Sequence, residues 1–565
     1  MAKHSEDRPH ANEIIKKNSQ FLRGTLRESI ADPVTGALPE ADQQISKFHG
    51  FYQQDDRDRR QERASLKLEP LYRLMLRARL PGGVCSPQQW LTLDSVGREL
   101  ANGTLRLTTR QTFQYHGILK KDIKQVIQSI NFAKIDSIGG CGDVNRNIVC
   151  ASNPSSPPLH QVVYRYAKRM SEHLLPKTRA YYELWLDEEK IESSEEREPL
   201  YGNSYLPRKF KTAFAIPPFN DVDVFANDMG FVAIVEDKKL QGFNVLAGGG
   251  MGAVHRDSTT YPRLARVLGY VEAQDIFKVA EAIVTVQRDF GNRIERKHAR
   301  LKYTLEKMGL SAFKQEVQQR SGVVFSPQRP FAFSTNVDRI GWTQAEDDLW
   351  HLTLYVQNGR LSDQAGDKSL TGVRKIAEEH RGEFRITANQ NLMIANIPRS
   401  QKKFIEDIAL QYSLLNDKLS KTQAAAVACV ALPTCPLAMA EAERYVNDFI
   451  RKIDALMTKH GLNEQQIAVR MSGCPNGCSR PYLAEMGLVG KAPGRYNLFL
   501  GGDSRGGRLN RLYLENVREQ EILAAIDKLF DGYASQRQER ESFGDYCVRA
   551  GIVRKIENTE EKARD

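Results

Sequence analysis

The sequence lacks the features that place a protein in a membrane or outside a cell. No apolar signal segment follows Met1, and the uncharged run at 422–440 is interrupted by Pro433 and Pro436, so it is not a membrane helix. Only 8 cysteines occur among 565 residues, which is too few for a disulfide scaffold. These absences predict a cytoplasmic protein whose cysteines are more often metal ligands than bridges.

Motifs for nucleotides and nucleic acids are also missing. The glycine run at 248–252 is a poor substitute for the dinucleotide-binding fingerprint, and no nucleic-acid motif occurs. The net charge is +11, with 81 basic residues interleaved among 70 acidic ones. We therefore predict no nucleic-acid binding. The charge leaves open an acidic redox partner, an anionic cofactor or substrate, or simply a well-solvated basic surface.

The chain does contain enough apolar material for several cores. Its hydrophobic fraction is 41% and its charged fraction 27%, which are typical of a soluble globular protein. A chain of this length is expected to form about three or four domains.

Four of the cysteines form two close pairs. Cys429 and Cys435 have the spacing C-x5-C, and Cys474 and Cys478 follow with the spacing C-x3-C. Structural zinc usually uses shorter knuckles, so the spacing favours an iron–sulfur cluster; a zinc site and four unrelated buried cysteines remain alternatives. The remaining cysteines, which we interpret as packed or incidental thiols, are Cys85, Cys141, Cys150 and Cys547.

Local patterns place the first pair on a loop before a helix and the second pair on a turn after a strand. Apolar residues recur at helical spacing between Val446 and Met457, and Gly461 ends this helix. Residues 467–471 alternate as a short strand that runs into Gly473.

The chain repeats itself in the order A–B–A′–B′, as expected of a duplicated module. The copies are asymmetric. Arg110 and His116 of the first A segment become Asn389 and Ala395, and only the second B segment carries the cysteine pairs. The corresponding segments are 103–118 and 382–397, 229–232 and 486–489, and 242–250 and 495–502.

Alternation from Arg106 to His116 predicts a strand with one polar face. If the strand is continuous, its even-numbered residues share that face, although a solvent-facing strand has the same pattern. The residues on this face are Arg106, Thr108, Arg110, Thr112, Gln114 and His116.

The cysteine pairs and their flanks carry a family resemblance. Residues 434–444 (TCPLAMAEAER) and 473–480 (GCPNGCSR) resemble the paired motifs of the sulfite and nitrite reductases that hold siroheme beside a [4Fe–4S] cluster. The resemblance implies that Cys429, Cys435, Cys474 and Cys478 bind the cluster. It also implies that Cys478 bridges the cluster to the siroheme iron.

The same resemblance assigns roles to cations that singly would be taken for surface groups. Arg77, Arg146, Lys209 and Lys211 match the residues that bind the substrate anion, and we interpret them as catalytic. Siroheme carries many carboxylates, which arginine forks bind well. Thr109 stands where asparagine is expected in relatives. The residues expected to bind siroheme are Arg106, Arg110, Gln114, His116, Arg208 and Cys478.

The family's three-part arrangement predicts an α+β protein. Two ferredoxin-like halves, A and A′, are expected to form one central domain, with B and B′ as mixed α/β sheet domains around the cofactors. The first 45 residues are polar and predict a mobile arm that stays outside the core and docks a partner. The predicted segments are 1–45 for the arm, 46–139 for A, 140–340 for B, 341–414 for A′ and 415–565 for B′.

Within the family, residues 47–58 resemble most closely the haem-bearing subunits of NADPH-dependent sulfite reductases. The resemblance implies six-electron reduction of sulfite to sulfide, for sulfur assimilation and cysteine biosynthesis. Because the dinucleotide fingerprint is missing, electrons from NADPH are expected to come from a separate flavoprotein in a hetero-oligomer. The alternatives are a ferredoxin-dependent sulfite or nitrite reductase and, from another class, a zinc-stabilised basic binding protein.

Overall fold

Strands and helices follow one another in the order of a duplicated α+β protein. The computed structural model describes residues 8–152, 156–189, 196–345, 348–416 and 418–554. The strands are β1 (Phe51–Asp55), β2 (Tyr72–Arg77), β3 (Val84–Cys85), β4 (Leu105–Leu107), β5 (Phe113–Ile118), β6 (Val149–Cys150), β7 (Thr212–Ala215), β8 (Met229–Glu236), β9 (Lys239–Ala247), β10 (Arg266–Glu272), β11 (Gly341–Gln344), β12 (Trp350–Leu354), β13 (Arg360–Leu361), β14 (Glu383–Ile386), β15 (Leu392–Ile397), β16 (Val427–Ala428), β17 (Val469–Ser472), β18 (Met486–Ala492), β19 (Arg495–Leu500) and β20 (Arg511–Val517).

Helices separate several of these strands along the chain. They are α1 (Ala11–Lys17), α2 (Leu26–Ala31), α3 (Glu40–Ile45), α4 (Arg60–Ser65), α5 (Pro87–Glu99), α6 (Ile123–Phe132), α7 (Pro157–His173), α8 (Ala180–Trp185), α9 (Ile276–Phe290), α10 (Leu301–Met308), α11 (Leu310–Ser321), α12 (Ser369–Glu379), α13 (Arg399–Gln411), α14 (Lys421–Ala424), α15 (Val446–Lys459), α16 (Glu519–Gln536) and α17 (Phe543–Arg549). Some of them, such as α5, α7 and α16, pack against the sheets. None of the helices in the described ranges is long and apolar enough to cross a membrane.

The two A halves exchange a strand. One sheet has the order β1-β2-β5-β4-β13, and the other has the order β11-β12-β15-β14-β3. Strand β13 comes from the second half and pairs with β4, whereas β3 comes from the first half and pairs with β14. Neither half completes its sheet alone, so the two halves form one central domain.

The two B segments form sheets of identical topology. Their strand orders are β10-β9-β8-β7-β6 and β16-β17-β18-β19-β20. In each sheet the first three strands along the chain pair in parallel and the last two pair antiparallel. Together with the paired A sheets, this repeat confirms the predicted α+β fold with its A–B–A′–B′ duplication.

The N-terminal segment that the sequence predicts to be a mobile arm packs into the core. Leu22 and Leu26 are almost fully buried and belong to the large core cluster of the central domain and B. The ammonium of Lys16 donates to the carbonyl oxygen of Leu206 at 2.6 Å. The prediction of a mobile arm is therefore wrong for residues 8–45. The sequence did not reveal this packing because the buried leucines are scattered and form no periodic pattern. Residues 1–7 lie outside the described part.

A substitution in this segment tests its contribution to the core. We expect Leu26→Ala to lower the free energy of unfolding by about 2–5 kcal/mol, because it removes a buried side chain and leaves a cavity. Val34→Ala is the matched control: Val34 is 89% exposed, and we expect a change within about 0.5 kcal/mol. Denaturant unfolding measures both values. Equal stability of the two variants would show that the segment does not support the core.

Candidate active site

Two adjoining cavities lie where the central domain meets B and B′. Their volumes are about 500 Å³ and about 180 Å³. Side chains from the predicted anion-binding set and from the cysteine pairs line both cavities, so the two form one site. The residues common to both linings are Tyr52, Gln54, Arg77, Arg146, Lys209, Cys435, Cys474 and Cys478.

The four predicted cysteine ligands form one wall of the smaller cavity. Strands β16 and β17 are parallel neighbours, so the chain leaves both at the same edge of the sheet. Cys429 follows the first strand, and Cys474 and Cys478 follow the second. The loop between β16 and α15 brings Cys435 to the same wall.

Two glycines allow this wall to form. A Cβ atom at Gly473 would lie 2.6 Å from the carbonyl oxygen of Ala440, and Gly477 has a φ of +61°, which favours glycine. The backbone N–H of Gly473 donates to Sγ of Cys429 at 3.3 Å. Hydrogen bonds to sulfur are among the interactions that set the reduction potential of an iron–sulfur cluster.

The thiols of this wall suit a bound iron–sulfur cluster. Burial, followed by the other thiols, raises the pKa of Cys435 to about 11 and also raises the pKa values of Cys429 and Cys474. These thiols need bound positive charge to ionise. No three histidine, cysteine, aspartate or glutamate side chains within the described residues are close enough to hold one metal ion. A cluster bound by the four thiols would supply that charge.

Three cations beside this wall lack a carboxylate at ion-pair distance within the described chain, and only Arg208 has a carboxylate, Asp143, near enough to act on its pKa. Arg208, Lys209 and Lys211 make no ion pair with any carboxylate of the described part of the chain, and all three line the cavities. Burial, followed by the charge of Arg208, lowers the pKa of Lys209 to about 7. Burial, followed by Lys209, also lowers the pKa of Lys211. Such uncompensated buried cations create a strong preference for an anion.

Arg77 and Arg146 approach the same space from other segments. Arg77 donates from Nη1 to Sγ of Cys141 and from Nη2 to Oε1 of Gln114, both at 3.1 Å. Its buried Nε has no hydrogen-bond partner in the described structure. Arg146 donates from Nε to the carbonyl oxygen of Gly142 at 2.7 Å, and burial lowers its pKa. Arg77, Arg146, Lys209 and Lys211 are thus brought together as predicted for an anion site.

Two arginines expected to bind siroheme line the smaller cavity but already have protein partners. Arg110 donates to Oδ1 of Asn227 and to the carbonyl oxygen of Asn147, each at 2.6 Å. Its buried Nε is without a partner among the described atoms. Arg106 is buried and pairs with Glu443, with 3.0 Å between Nε and Oε2.

The segment from Arg106 to His116 is a hairpin and not the continuous strand that the sequence predicts. Strand β4 ends at Leu107 and β5 begins at Phe113. The N–H of Thr108 donates to the carbonyl oxygen of Thr112 at 3.0 Å, and Gln111 has a φ of +51°. The turn contains neither glycine nor proline, so polar alternation continues through it and hides it.

The hairpin nevertheless keeps the polar residues together. Arg106 and Gln114 are partners across the two strands. Nε2 of Gln114 lies 2.9 Å from Nε2 of His116, whose Nδ1 lies 3.1 Å from Oε1 of Gln54. His116 is absent from both linings, so it holds two glutamines that do line the cavities.

Sequence reasoning missed several lining residues, among them Tyr52, Lys47 and Cys141. Tyr52 lines both cavities, and its pKa is raised mainly by burial. Lys47 lines the larger cavity, where burial lowers its pKa to about 8. Cys141 is buried, as expected of a packed thiol, but it also lines the same cavity and accepts a hydrogen bond from Arg77, which the sequence did not indicate. Tyr52 and Lys47 belong to the aromatic and charged segment at 47–58, which is the signal that could have identified them.

Two family models match the chain. The nitrite/sulfite reductase ferredoxin-like half domain matches residues 67–133 and 343–412, which fall within A and A′. The nitrite and sulphite reductase 4Fe-4S domain matches residues 166–325, which fall within B and not within the cysteine-bearing B′.

Curated relatives match nearly the whole chain. The sulfite reductase [NADPH] hemoprotein beta-component of Shewanella piezotolerans is 55% identical over 552 residues, 97% of this chain and 98% of that protein. The protein of the same name from Shewanella baltica is 54% identical over 555 residues, 98% of each. The solved structure of the Mycobacterium tuberculosis NirA protein shares the fold, with a TM-score of 0.78 and 22% identity over 96% of this chain and 97% of that one. Matched in both repeats and along almost its full length, this chain belongs to the nitrite and sulfite reductase family of oxidoreductases.

Proposed function

We propose that this chain is the haem-bearing component of an assimilatory sulfite reductase and reduces sulfite to sulfide with six electrons. The product would enter cysteine biosynthesis. The observation that carries the proposal is the juxtaposition of unpaired cations, Arg208, Lys209 and Lys211, with a wall of four thiols in one site. The relatives named sulfite reductase hemoprotein support the choice of sulfite.

The residues of this chain suit the two cofactors of the family. Cys429, Cys435, Cys474 and Cys478 would hold the [4Fe–4S] cluster. Arg208, which makes no ion pair at contact distance in the described chain, and Arg110 would pair with siroheme carboxylates. When bound, siroheme and the cluster supply the single-electron chemistry that amino-acid side chains lack.

The cations would bind and orient the substrate anion. Each unit charge about 4 Å from the anion contributes roughly 4 kcal/mol at an effective dielectric constant of about 20. Lys209 adds a second capability: with its pKa lowered to about 7, its ammonium is a competent proton donor at neutral pH. Arg77 and Arg146 supply fixed charge, because guanidinium groups do not give up protons in this range.

The electron donor would be a separate flavoprotein that oxidises NADPH, in a hetero-oligomer with this chain. The sequence carries no dinucleotide fingerprint of its own, and the similar hemoproteins are named as beta-components of NADPH-linked enzymes. Deletion of residues 1–45 is unsuitable for locating the docking surface, because Leu22 and Leu26 belong to the core.

The proposal is tested with the purified holoprotein. We expect a haem-type visible band, iron and acid-labile sulfide, and sulfide formation from sulfite with a reduced dye. NADPH should drive the reaction only after a sulfite reductase flavoprotein is added. Turnover with ferredoxin but never with the flavoprotein would assign the ferredoxin-dependent alternative. Preference for nitrite over sulfite would change the substrate, and a colourless zinc-containing protein would refute the proposal.

A further inference from the structure

Asp223 and Arg480 occupy equivalent positions in the two B copies. Asp223 precedes the short 3₁₀ helix Val224–Ala226, and Arg480 precedes the corresponding helix Pro481–Leu483. Both helices lead into matching strands, β8 and β18. Both residues adopt left-handed backbone conformations, with φ of 46° and 57°. A residue other than glycine at positive φ is uncommon and costs free energy, which indicates that its side chain is needed there.

The two equivalent residues contact each other. Nε of Arg480 donates to Oδ2 of Asp223 at 2.5 Å, and Nη1 of Arg470 donates to the same oxygen at 2.5 Å. Asp223 is completely buried and Arg480 is 6% exposed. Identical charged residues at equivalent positions of a duplicated pair would repel one another. Opposite charges make this junction attractive.

Arg480 also joins the two A copies. Its Nη1 donates to the carbonyl oxygen of Thr109 at 3.2 Å, and its Nη2 donates to that of Ala388 at 2.9 Å. Thr109 and Ala388 are equivalent residues of the repeated hairpins, since strands β4 and β5 correspond to β14 and β15. The guanidinium group of Arg480 therefore binds equivalent carbonyl oxygens on both A hairpins. It also binds Asp223, the residue of B that is equivalent to Arg480 itself.

This junction lies directly beside the cysteine wall. Arg480 follows Cys478 and Ser479, and Oγ1 of Thr109 donates to the carbonyl oxygen of Cys478 at 3.1 Å. Two hydrogen bonds therefore join Thr109 to the cysteine turn, one donated by the Thr109 hydroxyl and one donated by the Arg480 guanidinium group. The next residue, Arg110, belongs to the cationic part of the site.

We propose that Arg480 is a positioning residue that sets the place of Cys478 relative to the cationic hairpin, with Asp223 as its counter-ion. Its planar fork binds two carbonyl oxygens and a carboxylate at once, which a lysine does not reproduce. The inference rests on the proposed function only for its turnover readout. Its spectroscopic readout requires only that the cofactors bind.

Arg470 provides a matched control within the same ion-pair cluster. It shares Asp223 with Arg480 but lies in strand β17 and makes no hydrogen bond to Thr109 or Ala388 in the described structure. In Arg480→Gln, Arg470 still pairs with Asp223, so the buried carboxylate keeps a counter-ion and we expect the variant to fold.

The test compares the holoenzymes Arg480→Gln, Arg480→Lys and Arg470→Gln. We expect Arg480→Gln to change the EPR spectrum of the haem iron and to lower kcat about 10- to 100-fold, with KM within about 3-fold, because small displacements of reacting groups have effects of this size. Arg480→Lys should show a smaller change of the same kind, since it keeps the charge and loses the fork. Arg470→Gln should lower stability while leaving the EPR spectrum unchanged.

Three results would overturn the inference. They are an unchanged EPR spectrum in Arg480→Gln, equal effects of Arg480→Gln and Arg470→Gln on kcat, and losses of turnover that follow unfolding alone. Absence of cofactors or of sulfite turnover in the unsubstituted protein would instead refute the proposed function, so the two failures are distinguishable.

Discussion

Cys478→Ser is expected to remove the siroheme band and the cluster together. Cys478 lines both cavities, in a turn held by Gly477 at positive φ, and the family resemblance gives its sulfur to both metal centres. A serine hydroxyl is a hard and poorly ionised ligand for iron in such a site. We therefore expect iron and acid-labile sulfide to fall together, and sulfite turnover to fall by more than about 100-fold.

Cys547→Ser is the control for this substitution. Cys547 is a buried thiol of the same B′ segment, in α17, and it lines neither cavity. We expect its variant to keep the visible spectrum and the iron content, with at most a loss of stability. If Cys478→Ser retained both cofactors in full amount, Cys478 would not be a ligand of either one.

Removing the two lysine charges is expected to abolish most turnover without releasing cofactors. Lys209→Met and Lys211→Met keep the length of the side chain and remove the ammonium group. We expect each to lower sulfite turnover about 10²- to 10⁴-fold, the range for loss of a positioned proton donor or charge. Visible spectra and iron analysis measure cofactor content. Lys297→Met is the control, since Lys297 pairs with Asp257, lines neither cavity and should leave turnover unchanged.

The lowered pKa of Lys209 gives this prediction a pH dependence. Burial disfavours the charged form, so in the protein without a bound anion Lys209 loses its proton as pH rises through about 7. Sulfite affinity should therefore weaken above pH 7 in the unsubstituted protein. The part of this weakening that comes from Lys209 should be missing in Lys209→Met. Titration of sulfite itself affects both proteins equally, so their difference isolates the lysine. Loss of siroheme from either lysine variant would instead assign the lysines to cofactor binding.

The candidate cysteine ligands could be predicted because the spacing within each pair is local. The C-x5-C and C-x3-C spacings, the helix at Val446 and the strand at Val469 are all encoded within a few turns of chain. The duplication was equally visible, since it needs only comparison of the sequence with itself. The cations Arg77, Arg146, Lys209 and Lys211 required a family resemblance, because no local pattern distinguishes a buried lysine from a solvated one.

Other features depend on contacts between distant segments. The polar alternation from Arg106 to His116 is identical for a strand and for this hairpin, and only the pairing of Arg106 with Gln114 distinguishes them. The N-terminal leucines are buried because they pack into a core that is formed by residues far along the chain. Cys141 joins the site because Arg77 reaches it from another strand.

The sequence by itself determined the candidate ligands, the repeat and the family, because these depend on residue identity and spacing along the chain. Only the tertiary structure decided which charges meet. It left Lys209 and Lys211 without counter-ions, exchanged β3 and β13 between the two halves, and placed Asp223 against Arg480 where the copies meet. Burial makes each of these arrangements energetically significant, because an unpaired charge is tolerated in water but strongly disfavoured in the interior.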